Sequence, residues 1–176
     1  MSTQKFIKIA IAGLLPILPL KANCQTIQAF AGSDNNVKAE ELQNQATLLH
    51  ADPARAAEAA RLHKESAHLR SASDPAAIES LALAAHLYSY AGRQSAARQT
   101  MEEAAERALA MGSVLRAARA YVDAAFFADE QHDRADTARL GRKALLLAGS
   151  SLLTADERST ITTRIRTNPT LASIEL

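Results

Sequence analysis

Tryptophan is missing altogether, and aromatic residues make up only 4% of the 176 positions. A sheet assembled from β-branched and aromatic side chains fits this composition poorly, whereas alanine, roughly a fifth of the chain, favours closely spaced helices. Cysteine is almost as scarce. Cys24 stands alone, so no intramolecular disulfide can form, and the fold has to close on its own apolar core. A chain of this length is long enough to do so as one domain without metal. Charge of one sign is lacking too: a formal net charge of +1, with so few aromatics, withholds the basic and stacking surface that nucleic acid requires, and excludes that class. No apolar run reaches the about 20 residues of a membrane-spanning helix. The longest, IAIAGLLPILPL, is interrupted by Pro16 and Pro19.

That run follows MSTQKFIK, with two lysines ahead of the apolar stretch, which is the layout of a secretory signal. The alternative is a buried N-terminal helix or strand. Small residues at Ala22-Asn23-Cys24 and Ala29-Phe30-Ala31 place cleavage between 22 and 31, so residues 1–31 read as signal peptide and leader. Residues 25–37, polar and without a sustained period, read as flexible. The expected destination is the bacterial periplasm or the outside, with membrane contact only in transit. Lipidated cysteines follow a Leu-Ala-Gly pattern that Lys21, Ala22 and Asn23 do not supply, so no lipid anchor at Cys24 is expected. Losing Lys5, Lys8 and Lys21 would turn the formal charge from +1 to −2.

From residue 38 to 168 the pattern predicts an all-α domain, with 169–176 as a tail. Leu42, Ala46 and Leu49 line one side of a first helix. Asp52-Pro53 and Asp74-Pro75 each put a carboxylate at an N-cap and a proline at the first helical position, starting helices that run to about Arg70 and Ala91. Gly92 and Gly112 bracket the next, whose stripe includes Ala97, Met101, Ala104 and Ala108. The segment SVLRAARAYVDAAFFADEQ is apolar on most of its circumference and should be the central helix. Another follows over 134–148. Thr154 and Glu157 form a capping box that starts a last helix holding Ile161 and Ile165, stopped by Asn168-Pro169. About seven helices joined by short links must pack as antiparallel hairpins.

The pattern also repeats at a fixed offset. Slid along itself, the chain superposes Ala77, Leu81, Ala84, Ala85, Ala104 and Ala108 on Ala117, Tyr121, Ala124, Ala125, Ala144 and Ala148. Within the first of these hairpins, Tyr88, Gly92, Ala97, Met101 and Ala104 carry an aromatic–glycine–alanine–large apolar–alanine spacing that resembles the tetratricopeptide repeat (TPR) family. The second hairpin departs from it, with Ala128, His132 and Gly141 at three of those positions, and the repeat is longer than the family's usual period. The resemblance implies stacked hairpins whose first helices line a concave face that holds a protein or peptide partner. Carried over, that face presents Glu79, Ala82, His86, Ser89 and Tyr90, then Arg119, Val122, Phe126, Asp129 and Glu130. Tyr90 and Phe126 would be its anchors; the other reading puts both Phe126 and Phe127 in the core.

Catalytic patterns are thin. His63 and His68, five apart, fall about 140° apart around a helix and cannot share a metal as an i, i+4 pair does. His63 and Ser66 are helical neighbours without an evident third group to orient the base, so a solvated face is the expectation. Glu102, Glu103 and Glu106 lie opposite the apolar stripe, where water should surround them, with Glu103 paired to Arg107. Arg134, Arg139, Arg142 and Lys143 form a basic side that nearby acids balance. The sequence therefore predicts an exported helical-repeat binding module, not an enzyme, with no cofactor and no metal. Two alternatives stay open: a small hydrolase or metal-binding bundle using the His63/His68 region, and a self-associating structural bundle.

Overall fold

The computed structural model describes residues 20–173, with side chains from residue 34. The expected signal segment, up to residue 19, lies outside the described residues. Eight helices follow in order: α1 (Leu20–Leu49), α2 (Ala56–Leu69), α3 (Pro75–Tyr90), α4 (Gln94–Ala110), α5 (Val114–Glu130), α6 (Arg134–Ala148), α7 (Ala155–Arg166) and α8 (Pro169–Ala172). Among the described residues there is no strand. The fold is all-α, a stack of antiparallel helical hairpins in which each helix packs chiefly on the next.

The caps explain where the helices begin. Asp52 and Asp74 each accept a bond from the backbone N–H two residues on, at 2.9 Å, with Pro53 opening a short 3₁₀ turn (Pro53–Arg55) and Pro75 opening α3. Thr154 and Glu157 close the expected box on α7. Asn168-Pro169 does more than stop α7. The Asn168 side chain caps Leu171 N–H at 3.0 Å, so the pair repeats the Asp-Pro device and starts α8 where a tail was expected. The segment 25–37, expected to be a flexible leader, is likewise part of α1.

Three links share one construction. After α3, α4 and α5 the chain turns through Gly92 (φ 72°), Gly112 (φ 71°) and His132 (φ 58°), evenly spaced along the sequence. In each, the N–H of the following residue reaches back past the last turn: Arg93 to Tyr88 O, Ser113 to Ala108 O and Asp133 to Ala128 O, at 2.8–3.0 Å. This is the Schellman closure, and its left-handed residue is ordinarily glycine because a Cβ is strained there. Equal helices and equal links return every second helix to the same layer. Ion pairs join α2 to α4 (Lys64–Glu103), α4 to α6 (Arg139–Glu102), α3 to α5 (Arg116–Glu79) and α5 to α7 (Arg164–Asp123).

Between the layers, all twelve residues that the internal repeat pairs are buried. Ten of them are alanine, which lets neighbouring helices approach closely, since axial distance follows side-chain size. α5 is the central helix, buried through Tyr121, Val122, Phe127 and a run of alanines against α4 and α6. Leu153, Ile161, Ile165 and Leu171 close the C-terminal end of this core beneath the threonine-rich surface of α7.

Candidate functional site

The layer of α3 and α5 opens on a cleft of about 210 Å³ whose floor is Ile78, Met101 and Ala104. Ala82 and Ala120 form its walls, and four charged side chains stand at its rim: Glu79, Arg116, Arg119 and Asp123. Small walls create the space; a leucine in place of either alanine would fill it. The volume suits one large apolar side chain and falls short of the clefts that take drug-sized ligands. Three of the rim charges are engaged, Arg116 with Glu79 at 3.5 Å and Asp123 with Arg164 of α7. Arg119 is exposed and makes no ion pair among the described residues, although its charge reaches Glu157 of α7 at longer range.

The expected partner face meets this cleft only in part. Glu79, His86, Tyr90 and Arg119 are exposed, Tyr90 to 67%. Val122 does not belong to the face: it is 0% exposed inside the core. From Arg119 the outward side of α5 continues through positions one turn apart, back to Arg116 and on to Asp123 and Phe126, so a step of three toward Val122 turns inward where a step of four stays on the surface. That arithmetic would have found Arg116 and Asp123 from the sequence. Phe126 is half-buried, with the Arg164 guanidinium 5.5 Å from its ring, and Asp129 accepts a bond from Asn168 at 2.8 Å. α7 and the start of α8 thus cover the far end of α5, leaving the free surface at the α3 stripe and the first turns of α5. Phe127 is the core member of the aromatic pair, touched edge-on by His86 at 5.7 Å between ring centroids.

The other clusters resolve differently from their sequence reading. His63 and Ser66 are buried, not solvated. The Ser66 hydroxyl donates to Ala39 O of α1 at 2.6 Å, and His63 Nε2 lies 2.7 Å from His50 Nε2 at the end of α1. Burial, and then the proximity of His50, lower the His63 pKa from 6.5 to about 4, so its ring is neutral at neutral pH. His68 points elsewhere, to Glu103 of α4. Only two imidazoles meet, and the buried Nδ1 of His63 lacks the acceptor that usually orients a ligating histidine. Among the described residues no three metal-ligating side chains converge.

Glu102, expected in water, is instead a hub. Arg139 and Lys143 of α6 bond it, with Arg98 one turn back on its own helix. The Arg139 bonds, helped by Lys143 and opposed by burial, lower its pKa from 4.5 to about 2. Half of the expected basic side of α6 is thereby spent on α4. Arg107 does not pair with Glu103 either: its guanidinium donates to the carbonyls of Ala67 and Arg70, both at 2.9 Å, and to Ser71, closing the end of α2. Glu103 takes Lys64 and His68 from α2.

No protein-family model matches the chain, and none of the curated proteins is similar to it in sequence.

Proposed function

We propose that the protein is an exported helical-repeat module of tetratricopeptide type that binds a protein or peptide segment and performs no chemistry itself. The observation that carries this reading is the cleft between α3 and α5, where an apolar floor lies beneath Arg119, which makes no ion pair among the described residues. An apolar side chain entering the cleft, from a segment that also offers Arg119 a carboxylate, would combine the desolvated anchor and polar rim typical of binding hot spots. Tyr90 and His86 extend the contact along α3. The N-terminal pattern supports export to the periplasm or beyond, since a lysine-led apolar stretch is what the secretory machinery reads.

Cell fractionation followed by in-cell photo-cross-linking tests both halves of the proposal. A cross-linker at position 119 or 90 should capture a protein partner from the exported fraction, whereas one at Arg61, on the exposed side of α2, should not. Arg119→Ala and Tyr90→Ala should abolish capture while changing stability by less than about 0.5 kcal/mol, as surface substitutions usually do. Equal capture at Arg61, capture of another copy of the chain alone, or retention of the protein in the cytoplasm would overturn the reading.

A further inference from the structure

α1 joins the stack chiefly through α2. Of its described side chains only Ala39 and Ala46 are buried, and the polar ties to α2 are three: Ser66 to Ala39 O, Arg70 to Gln43 at 2.9 Å, and His50 to His63. The last is unlike the others because its strength depends on protons. With the ring centroids 4.9 Å apart, the two Nε2 atoms meet nearly head-on, and one hydrogen is shared between them. The bonding is best satisfied when His63 donates to His50, because the buried Nδ1 of His63, which has no partner, then carries a bare lone pair and not an orphaned N–H.

Any added proton upsets this arrangement. A proton on His50 Nε2 faces the His63 hydrogen across 2.7 Å, unless His63 moves its own hydrogen to Nδ1, where no acceptor waits. A proton on His63 puts a charge into the core. Among the described residues no carboxylate acts on His63, and Asp52, two residues beyond His50, is engaged by the Ala54 N–H. Glu58 is held by Arg55 and Glu65 by Arg61; Glu103 of α4 is held by Lys64 and His68, and Asp74, the cap of α3, by Arg70. Glu40 and Glu41 of α1 are exposed to water, and a charge on His50 would itself disfavour one on His63.

We propose that the His50–His63 pair is an acid-sensitive latch, which fastens α1 to α2 at neutral pH and lets it go in mild acid, uncovering His63 and Ser66 while the α3–α6 stack stays folded. The direction follows from linkage. A released His63 takes up a proton below its ordinary pKa of 6.5, whereas the docked ring stays neutral down to about 4, so docking is at full strength above 6.5 and weakens as the pH falls toward 4. By pH 4.5 the docking constant falls by as much as about 100-fold.

Amide hydrogen exchange read by mass spectrometry, corrected for the intrinsic pH dependence of exchange, tests the latch on the full chain. Protection over residues 36–49 should drop between pH 6.5 and 4.5 by up to about 100-fold relative to α5. In His63→Leu, which keeps an apolar group there and removes the titration, it should not. A second measurement needs no variant: the His63 ring proton followed by NMR should titrate well below 6.5 and no lower than about 4, at the same pH at which the α1 resonances change. A His63 midpoint near 6.5, loss of α1 and α5 protection together, or an unchanged α1 release in His63→Leu would each overturn the proposal.

Discussion

Replacing Glu102 with glutamine keeps the size and shape of the side chain and removes its charge, which isolates what the α4–α6 ion network contributes. A pKa lowered from 4.5 to about 2 sets a ceiling of about 3 kcal/mol on that contribution at neutral pH. The glutamate side chain is 17% exposed, but its partners Arg139 and Lys143 are 41% and 38% exposed, so water screens the attraction. The expected loss in Glu102→Gln is therefore about 1–2 kcal/mol, or about 2–6 °C in Tm for a chain of this size. Urea titrations of both proteins at pH 7 and pH 3, in low salt and in 1 M NaCl, read it directly. The carboxylate's pKa is lowered by folding, so its stabilisation is complete above 4.5 and fades as the pH falls toward 2. The gap between wild type and variant should shrink to less than half at pH 3, and high salt should narrow it at pH 7. A gap below about 0.3 kcal/mol at pH 7, or one indifferent to pH, would refute this account of the hub.

Other substitutions probe the frame. His132→Gly relieves the single non-glycine left-handed turn residue among those described, and should raise stability by about 0.5–1 kcal/mol, seen as a higher urea midpoint at unchanged m-value. Ala125→Leu forces a branched side chain into a fully buried helix contact of α5 and should cost about 1–3 kcal/mol by thermal melting. Arg107→Met strips the donors from the last carbonyls of α2; a loss of about 1 kcal/mol, with faster amide exchange in Leu69–Ser73 alone, is expected.

Sequence alone carried the helices well because their signals are local. Asp52-Pro53, Asp74-Pro75 and the Thr154–Glu157 pair each act within one turn of chain, and Gly92 and Gly112 mark links that the backbone requires. His132 fell at the glycine position of the repeat and so marked the third link too, although its own positive φ, uncommon without glycine, was not foreseen. The interhelical chemistry was not legible. Whether Glu103 turns to Arg107 on its own helix or to Lys64 on another depends on the register between layers, which no local pattern sets. Burial of His63 depends in the same way on where α1 comes to rest. On the candidate face, one step of three in place of four put Val122 outside and missed Asp123.

Because Gly92, Gly112 and His132 close their helices in one geometry, the stretch from 93 to 132 begins and ends at equivalent points of the chain. An in-frame duplication of that stretch would meet the same neighbours on both sides and lengthen the rod by one hairpin, with α7 and α8 still terminating it. Modular growth of this kind needs no new core, since each added pair would present to its neighbours the same alanine-lined flanks already in place. The molecule's length is thus a property that recombination could change in a single event, with the cleft multiplied alongside it.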